Sequence, residues 1–349
     1  MAGLNEYVGN IHIHTTYSDG SGSVAVVATE ARAAGLDFAI ITDHGTLAGK
    51  YEEGYHEGVL ILVGMEINEK CNHYLALNLR EEVLNCDARP QKVIDEVRKR
   101  GGIGFLAHPM ETGSPLYEQG TVYPWTDWEV SGFNGIEIWN LLSQWRDGIT
   151  SLWRAFYLSF CNPHRALTGP YPELLARWDK LLEESPVVGI GGSDAHAIKV
   201  KLGPLKFALM DYRLSFRCIN THILTEDPFT GEDLHDAQQV YDCLSGGRCF
   251  VAYDYFMSSR GFRFSASDDG HQVQMGESVS WSPRLLLLAE TPFPAWVRLI
   301  RNGQLYRTGT GCSHTFAALV PGVYRLEAYH HHRKSLRPWI FSNPIYVTD

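Results

Sequence analysis

Strand-like and helix-like segments alternate along the N-terminal part of this chain, and that order restricts the fold more than any other feature. Val8, Ile11 and Ile13 mark a first strand. Residues 23–36 carry a helical stripe of Val24, Val27, Ala28, Ala31 and Ala34, closed by Gly35. Strands are expected at 38–42, 59–63, 74–79, 103–107, 135–139 and 187–190. Helices are expected at 90–100, where Pro90 suits the first turn, and at 172–184. Parallel strands need crossover connections, usually helical, so this repetition predicts a mainly parallel sheet, and the number of units favours a closed barrel.

Polar clusters recur where these strands end, which is where barrel enzymes build their sites. In the stretch from Asn10 to Gly20, the strand period of two places His12 and His14 on one face and the isoleucines on the other. Ser18-Asp19-Gly20 then reads as a turn that presents a carboxylate near the same strand end. Later strand ends add His44, Glu66, His73, His108, Asp194 and His196. His12, His14, Asp19, His44, Glu66, His73, His108, Asp194 and His196 together form a nitrogen and oxygen ligand set without thiolate. Such a set suits zinc, manganese or iron and is too large for one ion, so two or three divalent ions are expected, with Glu66 a candidate bridge.

Six short motifs fall in an order that resembles the PHP (polymerase and histidinol phosphatase) superfamily of metal-dependent phosphoesterases. They are His12-Ile13-His14, Ser18-Asp19-Gly20, Ile41-Thr42-Asp43-His44, Gly64-Met65-Glu66, Ala107-His108-Pro109 and the run from Gly192 to His196. The resemblance spans residues 8–255, and the segment from Pro338 to Tyr346 resembles that of the CehA/McbA-like subgroup, which adds a C-terminal β-domain. It implies an α/β fold, a distorted (β/α)7 TIM-like barrel with a C-terminal β-sandwich domain. One ion is implied on His12, His14, Glu66 and Asp194, a second on Glu66, His73 and His108, and a third on Asp19, His44 and His196. Asp194 and His196 are the implied catalytic residues. A water held between the first two ions would be the nucleophile, and Asp194 would orient it or take its proton. A small organic phosphate or nucleotide is the expected substrate. The same centre could instead serve a carboxylester, carbamate or amide hydrolase, and a binding module with an ancillary metal site is a reading of another class.

From about Phe262 the pattern changes to short strands, at 262–266, 284–290, 296–301, 313–319, 323–330 and 339–347, separated by Gly, Pro, Asn and Ser turns. This predicts a β-sandwich accessory domain over 258–349, after a metallohydrolase barrel over 1–257. Residues 110–178 interrupt the barrel pattern and hold six of the nine tryptophans, an aromatic-lined lid or large side chains packing barrel helices. Arg146, Arg154, Arg165 and Arg177 in that segment read as surface cations, with a phosphate clamp as the sharper alternative. Asp43 and Glu137 are candidates to orient imidazoles, a solvated carboxylate being the rival for Glu137. His330-His331-His332 reads as a solvated turn.

A formal charge of −10 argues against general nucleic-acid binding, although bound cations would reverse the sign locally. No apolar run approaches the roughly 20 residues of a membrane helix, so no membrane partner is expected. Seven scattered cysteines without a Cys-x-x-Cys pair indicate neither a disulfide framework nor a thiolate zinc site, so a cytoplasmic location is expected, with a removed signal peptide left open.

Overall fold

The computed structural model describes residues 3–116, 118–202, 205–332 and 335–349. The chain is mixed α/β, with a 14-stranded sheet, a 5-stranded sheet and a separate hairpin. The strands that carry the site come first: β1 (Asn5–Ile13), β2 (Phe38–Ile41), β3 (Gly54–His56), β4 (Val59–Val63), β5 (Met65–Ile67), β6 (Tyr74–Leu77), β7 (Ile103–Leu106), β8 (Gly135–Asn140) and β9 (Val188–Gly192). Helices α1 (Val24–Ala34) and α2 (Pro90–Lys99) lie between them, followed by α3 (Leu141–Asp147), α4 (Leu152–Phe156) and α5 (Pro172–Glu184). The hairpin β10 (Ile198–Leu202) and β11 (Leu205–Leu209) leads through α6 (Tyr212–Phe216) to β12 (Ile219–Thr225), α7 (Asp233–Gly246) and β13 (Cys249–Tyr253).

The local rules that predict α1 also end it. Ser23 accepts a hydrogen bond from the Val26 amide, Val24, Val27, Ala28 and Ala31 are buried, and Gly35 closes the last turn at φ 82°. Strands β1, β2 and β4 pair in parallel, as do β7, β8 and β9. The expected mainly parallel order fails at β5, β6 and β7, which pair antiparallel. Only residues 68–73 separate β5 from β6, too few for the crossover that a parallel pair requires. The two sheets meet on both sides of the site. The Ser193 and Ala195 amides donate to the Ile11 and His12 carbonyls and the His14 amide donates to Ala195, while the Glu66 amide donates to Asp43 and that of Gly45 to Glu66.

The C-terminal strands are β14 (Arg263–Asp268), β15 (His271–Gln274), β16 (Ser278–Ser280), β17 (Leu286–Arg301), β18 (Gln304–Ala317), β19 (Gly322–His332), β20 (Ser335–Ser342) and β21 (Ile345–Thr348). They extend the sheet of β1 through β12, β13 and β20 instead of standing apart, with Phe250 opposite Ser342 and Ala252 opposite Ile340. The segments 284–290 and 296–301 are one strand, β17, bent by an irregularity between Glu290 and Ala295. This part has an apolar core around Phe262, Phe264, Tyr324 and Trp339, which Leu224, Phe250 and Ala252 of β12 and β13 join.

Polar anchors fix it to the rest. Arg325 on β19 donates two hydrogen bonds to Asp179 of α5, at 2.6 and 2.7 Å, and one to Glu327 at 2.7 Å, all buried. The Asn343 side chain bonds the Gly189 amide and the Gly189 and Cys249 carbonyls. Among the described residues, no helix is long and apolar enough to cross a membrane.

Candidate metal centre

The site begins with a fault in β1. Ile11 pairs with Ile40 and Ile13 with Ile41, so His12 is an extra residue, a bulge, and its φ of 69° lies in the left-handed region. The even alternation expected from sequence therefore fails here. Ile11 and Ile13 pack into different apolar clusters, and the two imidazoles converge because the bulge turns His12. Their ring centroids are 5.2 Å apart. His108 (φ 25°) and Asp194 (φ 53°) share this costly backbone region, so three candidate ligands are held in conformations that side chains other than glycine seldom adopt. Two glycines are required by close approach. A Cβ on Gly20 would lie 2.1 Å from the His14 carbonyl oxygen, and one on Gly192 would lie 2.6 Å from that of Ile11.

Glu66 is the hub. Its Oε2 lies 3.0 Å from His12 Nε2, 3.2 Å from His14 Nε2 and 3.4 Å from His44 Nδ1. Its Oε1 lies 2.6 Å from His73 Nδ1 and 3.2 Å from His108 Nε2. Five imidazoles thus share one carboxylate, divided between its two oxygens. Asp194 Oδ1 lies 3.3 to 3.5 Å from His12, His14 and His196. Asp19, reached through the Ser18–Gly20 turn, lies 3.2 Å from His196, 3.6 Å from His14 and 3.9 Å from His44.

All nine candidate ligands fall into four overlapping groups whose ligand atoms lie within 4.8 Å of one another. Asp19, His44 and His196 group as the family resemblance implies, joined by His14. His12 and His14 group with Glu66, His12 with His108 and Asp194, and His44 with Glu66 and His73. His14 therefore faces two groups, and His44 reaches the Glu66 side as well as Asp19.

His73 and His12 stand at hydrogen-bond distance from Glu66, at 2.6 and 3.0 Å, whereas the separations of 3.3 to 3.6 Å fit shared cations better than hydrogen bonds. Two ligands about 2.1 Å from one tetrahedral ion stand roughly 3.4 Å apart. Both nitrogens of His14, Nδ1 of His44, Nε2 of His73 and Nδ1 of His108 are buried and make no hydrogen bond within the protein. Buried polar atoms are rarely left so, and here they are imidazole nitrogens beside carboxylates.

The electrostatics show the same strain. Burial disfavours charge on Glu66, but the His12, His44 and His73 charges and the His108 hydrogen bond hold its carboxyl well below its ordinary value. Asp194 is held down similarly, by the charges on His12, His196 and His14 against its burial. Burial opposes protonation of His12, His14 and His108 too. The carboxylates outweigh it, raising His12 well above its ordinary value and both His14 and His108 to about 9. For His44 burial wins, and it falls to about 4. Carboxylates and imidazoles that shift one another in this way suit divalent ions, whose binding displaces imidazole protons.

Glu137 is buried, not solvated. It lies 3.2 Å from His12 Nδ1, accepts from the His108 amide at 2.8 Å and from Asn140 Nδ2 at 3.0 Å, and so orients one imidazole and fixes the backbone of a second. Asp43 takes another part. It accepts from the Thr15 amide and hydroxyl and from the Ser18 hydroxyl, holding the turn that delivers Asp19.

The cluster forms the floor of an open cleft of about 750 Å³. Among the described residues lining it there is no tryptophan; Trp125, Trp139, Trp145 and Trp178 are buried in the core, which favours packing over a tryptophan lid. Arg146 is buried and lines the cleft with Tyr123, whereas Arg154 and Arg165 are exposed. The surface reading of Arg146 is thus corrected. Its place on α3, which follows β8 directly, was the available signal. The solvated turn expected at His330-His331-His332 is corrected as well. These residues end β19, opposite Leu336 and Arg337, and His330 is buried edge-on to Trp339.

No family model matches the chain, and no curated protein matches it. Among solved structures it is similar to a two-domain protein from Bacteroides vulgatus containing a predicted PHP-like metal-dependent phosphoesterase. The identity is 13%, the match covers 98% of this chain and 95% of that one, and the TM-score is 0.46. It is also similar to a protein from Bifidobacterium adolescentis named as a metal-dependent phosphoesterase, at 17% identity, over 58% of this chain and 92% of that one, with a TM-score of 0.35.

Proposed function

We propose that this chain is a metal-dependent phosphoesterase of the PHP type, acting on a small organic phosphate or nucleotide. One observation carries the reading: five imidazoles divide between the two oxygens of buried Glu66, at 2.6 to 3.4 Å, beneath an open cleft. On this reading β1, β2, β4 with β5, β6, β7, β8 and β9 form the ring of a (β/α)7 barrel over residues 1–257, and 258–349 form the accessory β-domain. The joined Ser193 to Ile11 and Glu66 to Asp43 backbone supports that ring.

The residues suit two or three zinc, manganese or iron ions, shared among the four ligand groups. Bound divalent ions supply Lewis acidity and lower the pKa of water in the site. The chain does the rest. Glu137 keeps the His12 ring turned so that Nε2 faces the floor, and Asp43 fixes the turn bearing Asp19. Asp194, open on one side to the cleft, is placed to accept a proton from an attacking water, and His196, whose Nδ1 contacts the Asp194 carbonyl oxygen at 2.8 Å, borders the same space. Asp19 beside His44 and His196 supports phosphate chemistry, because these residues would hold a third cation and a phosphoryl group has more oxygens for several cations than a carboxylester has. The seven free thiols suit a reducing cytoplasm.

The test combines elemental analysis of the purified protein with turnover of phosphomonoester, phosphodiester and carboxylester panels, using Asp194→Asn as the control. Two to three equivalents of metal and turnover of a phosphate ester that the variant loses are expected. Fewer than one equivalent, or full activity in the variant, would overturn the reading. Turnover confined to carboxylesters or carbamates would replace the phosphoesterase with the related hydrolase.

A further inference from the structure

After α3 the chain presents a surface that folding alone does not explain. Helix α4 runs directly into a π-helical turn over Tyr157–Cys161. Leu158, fully buried, anchors this turn in the core, and the Trp145 indole donates to its carbonyl oxygen at 3.3 Å. Around that anchor the large side chains turn outward. Leu152 is 78% exposed, Trp153 70%, Phe156 50% and Phe160 53%. The Trp153 and Phe156 rings stack with centroids 5.9 Å apart, and those of Phe156 and Phe160 lie 5.4 Å apart. Apolar side chains exposed singly are ordinary, but a contiguous cluster of this kind marks a surface that meets something else.

Charge indicates what it meets. The chain carries a formal charge of −10, yet it has no carboxylate side chain between Asp147 and Glu173. Arg154 and Arg165 are the Lys or Arg residues of that stretch, both are exposed, and among the described residues neither lies within ion-pair distance of a carboxylate. Arg337 of β20 reaches the same stretch, its Nη1 3.5 Å from the His164 carbonyl oxygen. An acidic protein is repelled as a whole by an anionic surface, so a cationic and apolar face sets the orientation in which it can approach one. A second copy docked here about a two-fold axis would instead bring like cations together. Trp, Phe and Leu flanked by Arg are also the side chains that lie in a lipid interface, with the rings at the acyl boundary and the guanidiniums reaching headgroup phosphates.

We propose that residues 148–165 form a docking face for a bilayer of anionic phospholipid, with Leu152, Trp153 and Phe156 entering the interface and Arg154 and Arg165 meeting the headgroups. Among the described residues no helix is long and apolar enough to span, so the contact is peripheral. The sequence expectation of no membrane partner rested on the lack of a spanning run, which surface docking does not need. The docking is independent of the phosphoesterase reading.

The experiment is flotation of the full chain with vesicles of phosphatidylcholine alone and of phosphatidylcholine mixed equally with phosphatidylglycerol. The wild-type protein should bind the mixed vesicles about tenfold or more tightly than the neutral ones, and raised salt should weaken that binding. Trp153→Ser combined with Phe156→Ser should cut binding to mixed vesicles about tenfold or more. Arg154→Gln combined with Arg165→Gln should remove most of the preference for mixed over neutral vesicles. These positions are exposed, and unchanged circular dichroism and Tm show that the variants fold. Absent wild-type binding to mixed vesicles, or equal binding to both kinds, needs no variant to observe and would overturn the inference. So would binding at the wild-type level by either folded double variant. A concentration-dependent dimer in light scattering that the Trp153→Ser and Phe156→Ser changes abolish, with no vesicle binding, would assign the face to a second copy and overturn the lipid docking.

Discussion

Two buried cages of histidine and carboxylate lie in this protein, and they are built to opposite rules. In the cage around Glu66, imidazole nitrogens stand mostly 3.0 to 3.6 Å from carboxylate oxygens, and several make no hydrogen bond. In the second cage His222 of β12 bonds Glu6 through Nδ1 and Asp254 through Nε2, both at 2.9 Å. The remaining acceptors there are used as well. Asp254 receives the Ser259 amide and hydroxyl and Asn220 Nδ2, and Glu6 receives the Gly261 amide and Arg263. The difference teaches how to tell a metal cage from an ion-pair cage. Both combine histidines with carboxylates, but one leaves buried imidazole nitrogens without a hydrogen bond while the other pairs both nitrogens of its histidine with carboxylates.

The sharpest break between them is Glu66→Gln. It should empty more than one metal site and reduce turnover about a hundredfold or more, since loss of a ligand's outer partner alone typically costs 10–100-fold. His222→Gln should leave metal content unchanged; equal metal loss in both variants, by elemental analysis, would end the distinction. Asp254→Ala should act the other way, lowering unfolding free energy in denaturant titrations by about 3 kcal/mol or more through the exposed half of a buried pair, with metal content intact.

Acidity gives a third separation. Burial works against a charged His222, but Asp254 and Glu6 raise it to about 9. A folded value above the ordinary 6.5 means stability fully present below pH 6.5 and lost as pH rises through 9, on the order of 3 kcal/mol at this buried site. Asp254, held at about 2 by His222 and its hydrogen bonds in spite of burial, contributes in the opposite sense, above its ordinary 3.8, and loses that contribution as pH falls through 2. Against His222→Asn, the wild-type protein should therefore lose its extra stability between about pH 6.5 and 9. A constant difference across that range would remove the charged histidine. The smallest effect is expected from Glu137→Gln, which keeps the shape of the His12 partner but weakens its orientation; zinc affinity in competition with a chelator should fall about tenfold.

Much of this was legible residue by residue. Helix α5 and strand β4 fall where periodicity places them, because apolar spacing and a first-turn proline are local properties. The histidines and carboxylates of the candidate site are likewise the strand-end residues that the motifs mark. What periodicity misread was non-local: the bulge at His12, which breaks the alternation that seemed to explain the His12 and His14 pair, and the antiparallel β5 to β7 turn-back. Strand β12 left no reading at all. Its Asn220, Thr221 and His222 look polar in sequence, and distant partners such as Asn10, Asp254, Glu6 and the Gly191 backbone make them suitable for burial.

The sequence by itself determined which chemical groups are present and that they recur at strand ends, since both depend on residue identity and short-range pattern. Tertiary structure alone decided that five imidazoles share the two oxygens of Glu66, that Glu137 is buried behind His12, and that Arg146 is buried at the edge of the cleft. Those are distances between residues far apart in the chain, and they come into being only when the strands bearing them are brought edge to edge.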